Sequence, residues 1–263
     1  MQVHPDRMKW IVKRMAWVVV GLVAVLLVIA AIKYKQKSLI EALRIKIVET
    51  DDELKFIQED DVRDILFNKF GHYLEGQTLE KIDVEATEAA LEKDPFIEEA
   101  DVYIDAQNRV NVSIEQREPI LRVMDVEDKS YYLDEKGVDQ IPLSSKYAAR
   151  VLTATGDVGL FMGNYKEIED NQLRKVYNIA MYISENEFWK AQIEQIHTEH
   201  NGDIVLIPKL GDHKIYFGDP ETLMENKFKR LENFYKEALP HKGWDKYKTI
   251  NLAYKDQVVC KKR

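Results

Sequence analysis

The chain has 263 residues, with 38 Lys and Arg against 46 Asp and Glu, a formal net charge of −8 and a single cysteine, Cys260. One cysteine excludes an intrachain disulfide, and the acidic balance argues against nucleic acid as a partner, because that binding needs a cationic surface to displace counterions. The charge is also divided: residues 1–37 hold seven bases and one acid, Asp6, which leaves 31 bases against 45 acids, a net −14, for the remainder.

The run from Met15 to Ile32 has no charge and no proline. As a helix it spans roughly 27 Å, close to the hydrocarbon thickness of a bilayer. Lys13 and Arg14 stop it on one side; Lys33, Lys35 and Lys37 stop it on the other. A transmembrane helix at 15–32 is predicted, between a tail at 1–14 and a juxtamembrane linker at 33–42. A cleaved signal would carry a shorter apolar core of about 7–15 residues and a small-x-small site, which Val28-Ile29-Ala30 matches poorly. A buried core helix rarely stays apolar all round. Orientation does not follow from the basic residues, since Arg7, Lys9, Lys13 and Arg14 before the run are balanced by Lys33, Lys35, Lys37, Arg44 and Lys46 after it. Both clusters suit anionic headgroups, which makes membrane lipid a partner. Trp10 and Trp17 fit an interfacial belt. About 225 residues follow the anchor, enough for one or two domains without staples.

The first soluble stretch has the order strand, helix, helix, strand, strand. Leu43, Ile45 and Ile47 alternate with Arg44, Lys46 and Val48, a strand pattern. Glu59-Asp60-Asp61 suits the positive end of a helix dipole, and Val62, Ile65, Leu66 and Phe70 then share one helical face until Gly71 and Gly76 break it. Asp83 can cap a second helix lined by Val84, Thr87 and Leu91, with Pro95 after its end. Ala100, Val102 and Ile104, then Val110, Val112 and Ile114, alternate with polar residues around the turn Ala106-Gln107-Asn108, a hairpin. A three-stranded sheet covered on one face by two helices is the simplest packing of this set.

The remaining residues mix strands and helices. Tyr131 to Val138 is expected to form a strand, a turn and a returning strand, and Leu152 to Gly156 a further segment. Leu173, Val176, Tyr177, Ala180 and Ile183 mark a helix. Ile193–His200 and Asp203–Ile207 flank Asn201-Gly202, a two-residue hairpin signal. Ile215–Gly218 is a short strand. Pro220 is expected to open a long helix with Met224, Phe228, Leu231 and Tyr235 on one face, ended by Leu239-Pro240 and Gly243. A last hairpin pairs Ile250–Tyr254 with Val258-Val259-Cys260 across Lys255-Asp256-Gln257.

These motifs carry a resemblance. Leu79-x-x-Ile82-Asp83, Leu91-x-x-Asp94-Pro95-Phe96-Ile97, Ala100-x-Val102 and Val110-x-Val112-x-Ile114-x-Gln116-Arg117-Glu118-Pro119 look like a POTRA domain, which places it at 43–119. After it, Asp134-Glu135-Lys136-Gly137 is similar to an Asp-x-x-Gly hairpin, and Leu152-Thr153-Ala154-Thr155-Gly156 to a leucine–threonine–glycine segment, of the FtsQ/DivIB family of bacterial cell-division proteins. The second domain is then 120–263, and the fold class α+β, with an antiparallel sheet and flanking helices. One departure stands out: where the family often has Asp-Leu-Arg-Tyr, this chain has Asn251-Leu252-Ala253-Tyr254, so any partner salt bridge made by that arginine is absent or moved.

The resemblance implies a type II protein of the cell inner membrane, with its tail cytoplasmic, both domains periplasmic, and its place at the division septum. It implies a non-catalytic scaffold that binds FtsB- and FtsL-like proteins, with FtsK- and FtsW-like membrane proteins as further partners. A carboxy-terminal strand often ends at a sheet edge, where another chain can add a strand. Tyr254, Gln257, Val258, Val259 and Cys260 are therefore the candidate partner-binding residues; the plain alternative is that this hairpin only closes the core. Two other readings stay open: a POTRA-bearing component of protein export or outer-membrane assembly, and a membrane-anchored cell-wall enzyme.

No catalytic, cofactor or metal site is expected. His197-Thr198-Glu199-His200 places two histidines three apart on a strand, on opposite faces, before a turn, which does not suit zinc. Asp51-Asp52 and Glu59-Asp60-Asp61 read as exposed or dipole-facing acids rather than a hydrolytic pair. Gly156, Gly159 and Gly163 lack the Gly-Lys-Ser/Thr of a phosphate loop, and no Gly-x-Ser-x-Gly elbow occurs. Cys260 reads as a small buried hydrophobe, and Trp189 and Trp244 as packing residues.

Overall fold

The computed structural model describes residues 5–49, 54–124 and 130–263. Asp51-Asp52 lies outside the described residues. Helix α1 runs Pro5–Gln36. Its segment Lys13–Gln36 is long and apolar enough to cross a membrane, and none of that apolar window is buried in protein. The chain divides into two compact units, the first of which includes α1: described residues of 1–48 with 57–116, and of 49–56 with 117–263.

The first unit holds β1 (Leu43–Ile47), α2 (Glu59–Phe70), a 3-10 turn (Leu79–Lys81), α3 (Val84–Leu91), β2 (Ile97–Ile104) and β3 (Val110–Gln116). The sheet order is β1-β3-β2, with β1 parallel to β3 and β2 antiparallel to it. The helix starts follow the capping chemistry of the sequence. Asp61 accepts from the Gln58 N–H at 3.0 Å, and Asp83 accepts from the Ala86 N–H at 3.0 Å. Each satisfies an amide that has no partner inside its helix. Val62, Leu66 and Leu91 then bury against Val102, Val110, Val112 and Ile114, one continuous apolar core.

The second unit is one nine-stranded sheet. In chain order it holds β4 (Pro119–Met124), β5 (Ser130–Asp134), β6 (Ile141–Pro142), β7 (Leu152–Gly156), α4 (Gln172–Ser184), α5 (Glu187–Gln192), β8 (Ile193–Thr198), β9 (Ile204–Pro208), β10 (Lys214–Gly218), α6 (Met224–Asn233), α7 (Leu239–Lys242), β11 (Tyr247–Asn251) and β12 (Val259–Lys262). The strand order is β12-β11-β10-β9-β8-β7-β4-β5-β6. The sheet is mixed rather than antiparallel throughout: β4–β7, β7–β8 and β10–β11 pair in parallel. The β7–β8 and β10–β11 pairings follow helical excursions, through α4 and α5 or through α6 and α7, and such a crossover returns the chain in the same direction; β7 instead reaches the free side of β4 after the chain has run through β5 and β6 of the same sheet. Helices α4, α5 and α6 cover the face formed by Leu121, Ala154, Ile196, Leu206, Ile215 and Ile250, with Trp189 and Phe228 filling the space between.

Several boundaries move from expectation for identifiable reasons. Val138 does not return as a strand; it is exposed, and the return is β6 at Ile141–Pro142. The turn is set by Gly137, whose N–H donates to the Asp134 carboxylate at 2.7 Å and whose φ is +54°. The expected helix at Pro220 begins four residues later, at Met224, after turns through Leu223 at φ +56°. Its path does not stop at Pro240: a π turn over Phe234–Ala238 opens the helix, and α7 carries it to Lys242 before Gly243. A widened turn relieves the clash that proline makes with a preceding carbonyl. The strand expected over Ile250–Tyr254 is β11, and it ends at Asn251.

Candidate functional site

The last hairpin is held from one side by the parallel pairing of β10 with β11, in which Ile215 faces Ile250 and Tyr216 faces Asn251. The Leu252 N–H continues this by donating to the Tyr216 carbonyl at 2.8 Å. Strand β12 then pairs antiparallel with β11, Val259 opposite Asn251 and Cys260 opposite Ile250. No strand lies on the other side of β12 among the described residues. The opposite edge of the sheet differs. It is β6, two residues long, and Pro142 there has no N–H to offer. The sheet therefore has one edge able to accept a further strand and one that is blunted.

The connection between β11 and β12 is built around a residue outside it. Arg230 of α6 donates through Nη1 to the carbonyls of Tyr254 and Gln257, both at 2.7 Å, and through Nη2 to the carbonyl of Leu252 at 3.1 Å. A rigid guanidinium fork is suited to this, since one planar group can hold several acceptors in fixed positions. Asn251 adds an Asx contact, its side chain accepting from the Ala253 N–H at 2.9 Å. Asp256 takes φ +55°, which closes the turn. After the Leu252 N–H the main chain turns to these partners instead of a neighbouring strand, and β11 stops at Asn251.

The candidate residues fall into two groups. Tyr254 and Val259 are 54% and 42% exposed, and Gln257 is exposed beside them. Val258 and Cys260 instead pack partly against the core. Cys260 is half-buried rather than fully buried, because it sits on the last strand; burial pushes its thiol pKa up, away from thiolate reactivity. The carboxy terminus is fixed by the Arg263 N–H donating to the Lys246 carbonyl at 3.2 Å and by the Arg263–Asp212 ion pair at 3.0 Å. Beneath the hairpin, Lys227 is buried and donates to the Asp219 carbonyl at 2.6 Å. Burial lowers its pKa, opposed by Asp219. Gly218, at φ +68°, lets the chain pass close to Ala253: a Cβ there would stand 3.2 Å from the Ala253 Cβ.

Arg230 and Lys227 were not singled out in the sequence. Both lie on α6, whose apolar face, Phe228, Leu231 and Tyr235, was legible. A lysine and an arginine three apart on an amphipathic helix look like ordinary solvated charge, and only the tertiary fold shows what they reach.

The residues considered for other chemistry are placed elsewhere. His197 lies on β8 with Nδ1 2.9 Å from Thr155 Oγ1, while His200 lies past the strand, exposed, 3.6 Å from Asp157. No cluster of three or more His, Cys, Asp or Glu suited to a metal occurs among the described residues. Gly156 is a strand-end glycine at φ +85°, packed against the Thr198 carbonyl. Trp189 is buried in the core and Trp244 packs partly against it.

Two family models match the chain. One, described as FtsQ/DivIB, C-terminal related, covers residues 118–261; the other, described as a POTRA-like domain, covers residues 40–115. No curated protein matches.

Proposed function

Because this chain belongs to the FtsQ/DivIB family, whose domains carry a role in bacterial cell division, we propose that it is a non-catalytic, single-pass scaffold of the division machinery. In this reading α1 anchors it in the inner membrane with the amino terminus cytoplasmic. Both folded units then stand in the periplasm, at the septum. Its work is to hold FtsB- and FtsL-like proteins in place, with FtsK- and FtsW-like proteins as further contacts near the membrane.

The observation that carries the docking proposal is the asymmetry of the sheet edges. Strand β12 lies at the edge with main-chain donors and acceptors along four residues, while β6 is two residues long and Pro142 has no N–H to offer. A partner segment would add to β12 by backbone hydrogen bonds, with Tyr254 as an amphipathic aromatic anchor and Val259 beside it. Gln257 would line the entry. Val258 and Cys260 would support the strand from the core side rather than touch the partner.

The test uses Tyr254→Asp and Val259→Asp in the full-length protein. Both positions are exposed, so the melting temperature should stay within a degree or two of wild type, while capture of an FtsB-like partner and its arrival at the septum are lost. A partner that is still captured and localised by the double variant would sink the edge reading. Depletion that leaves septa normal would sink the division assignment of this chain.

A further inference from the structure

Residues 38–40, which follow α1 directly, are tied to the loop after α2. The Ile40 N–H donates to the Gln77 carbonyl at 2.8 Å, the Gly76 N–H to the Ile40 carbonyl at 2.9 Å, and the Leu79 N–H to the Ser38 carbonyl at 3.0 Å. Leu39 and Thr78 form a bridge across the same contact. Ile40 and Leu74 are both buried in the core of the first unit, so packing reinforces the hydrogen bonds. The loop is therefore held at a set distance from the end of α1.

That distance is short. From Ile32, the last apolar residue, to Gln36, the last helical one, is four residues, about 6 Å of helix. The polar layer of a bilayer is about 5–8 Å thick on each side. Residues 38–40 thus emerge at about the outer edge of the headgroup layer, and the loop bound to them is kept within side-chain reach of it.

What this region displays suits that place. Phe67, near the end of α2, and Tyr73, in the loop, are 39% and 65% exposed, with their rings 5.0 Å apart. Leu39 is also exposed. Lys33, Lys35 and Lys37, at the end of α1 and just after it, and Lys69, two residues after Phe67, are exposed. Paired aromatics flanked by lysines have no evident use in water. At a membrane interface the rings lie among the headgroups and the ammonium groups meet lipid phosphates.

We propose that the end of α2 and the loop after it, through Phe67, Lys69 and Tyr73 with Leu39, form a second membrane contact that rests in the anionic headgroup layer of the bilayer crossed by α1. The proposal rests on α1 spanning the membrane and on nothing about the division partners. Its consequence is mechanical: the first unit is clamped to the bilayer surface instead of swinging on its tether.

The experiment places nitroxide labels on the full-length protein in vesicles of phosphatidylethanolamine and phosphatidylglycerol, in a Cys260→Ser background. The labelled variants are Ala24→Cys inside α1, Tyr73→Cys and Phe67→Cys in the patch, and Lys93→Cys, which precedes β2 at the end of the sheet away from residue 43. Accessibility to oxygen is compared with accessibility to a water-soluble nickel chelate. The expected result is a severalfold higher oxygen-to-nickel ratio at 73 and 67 than at 93, with 24 deepest. In vesicles of neutral phosphatidylcholine the ratio at 73 should fall toward that at 93. A label at 24 in the hydrocarbon with 73 and 67 as wet as 93 would overturn the proposal and leave the anchor intact. A wet label at 24 would overturn the anchor itself.

Discussion

Replacing Arg230 by alanine isolates the group on which the proposed docking hairpin is built. The guanidinium makes three bonds at 2.7, 2.7 and 3.1 Å to the carbonyls of Tyr254, Gln257 and Leu252. Arg230 is only partly buried, so water replaces part of what is lost, and each bond is taken below the charged range of about 1.5–3 kcal/mol, at roughly 0.5–1 kcal/mol. The sum is about 2 kcal/mol, a factor of about 30 in the population of the ordered turn. Because the bonds span only Leu252 to Gln257, the cost should be local. Amide exchange over residues 252–262 should rise by that factor, while the amides of β8 and β9 keep their protection. A partner that needs the ordered edge would bind about 10- to 30-fold more weakly, since it must supply the ordering itself. Arg230→Lys keeps the charge but not the fork, and should fall between the two. The assay is hydrogen exchange of the full-length protein read by mass spectrometry. Unchanged exchange at 252–262 in Arg230→Ala, or Arg230→Lys indistinguishable from wild type, would refute the idea that the fork geometry sets the turn.

Other consequences can be checked in the same protein. His213 is 1% exposed, with Nε2 2.8 Å from the Tyr235 hydroxyl and Nδ1 without a hydrogen-bond partner among the described residues. Burial, with Arg263 nearby, lowers its pKa below the usual 6.5, against the pull of Asp212 and Asp245. Its neutral form is thus the folded form: the stabilisation is complete above pH 6.5 and is lost as the pH falls below that toward the depressed folded value. Melting temperature should therefore drop between pH 7 and pH 5, and drop less in His213→Gln; equal slopes would contradict this. Gly156→Ala should cost several times what Gly71→Ala does, although both have positive φ, because a Cβ at 156 would stand 2.1 Å from the Thr198 carbonyl and one at 71 meets nothing. Denaturant melts should give about 1 kcal/mol for Gly71→Ala, the left-handed backbone cost alone, and at least about 3 kcal/mol for Gly156→Ala. Phe56 is buried edge-on against Tyr132 and Tyr147, with ring centroids 5.9 and 5.1 Å away. Phe56→Ala should lower the stability of the second unit by about 3–5 kcal/mol in the same melts.

The legible parts of the chain are those in which local chemistry and burial agree. In the first unit, alternation at Ala100–Ile104 and Val110–Ile114, the acids before Val62 and the cap at Asp83 each point to the element that forms, and the POTRA arrangement follows. The second unit was harder because long-range pairings set its boundaries. Nothing local to Leu252–Tyr254 says that a helix residue more than twenty positions earlier will take their carbonyls, so the alternation of Ile250, Leu252 and Tyr254 extends the strand too far. Nothing local to Val138 shows that the chain will run on to Ile141 before returning. Strand β4 is hard to read locally for a related reason: Pro119 looks like an end to what precedes it, yet it opens a strand paired on both sides, with β5 and β7. The same logic applies to the site. An edge can be suspected from a carboxy-terminal strand pattern, but only the sheet order shows that the other edge ends in proline.

At Asn251-Leu252-Ala253-Tyr254 the chain departs from the family's Asp-Leu-Arg-Tyr pattern. Ala253 stands where that pattern has arginine, and it is exposed beside Gly218. A guanidinium is nonetheless present at this turn, supplied by α6 instead of by the turn itself. It does not simply replace the missing one. Besides its three carbonyls on the turn, Arg230 directs Nε toward the Asn226 carbonyl at 3.4 Å, so four of its five N–H groups point at main chain of this protein. Such a group organises the turn and has almost nothing left for a partner's carboxylate. Cation pairing with a docked segment would then fall to the exposed lysines of the hairpin, Lys255, Lys261 and Lys262. Lysine pairs are compact, hydrated and readily screened, so docking here should weaken more steeply with salt than a bidentate arginine contact would allow. Titrating an FtsB-like partner from low to high ionic strength tests this. A salt-independent affinity that nonetheless collapses in Arg230→Ala would place the partner's carboxylate on Arg230 after all.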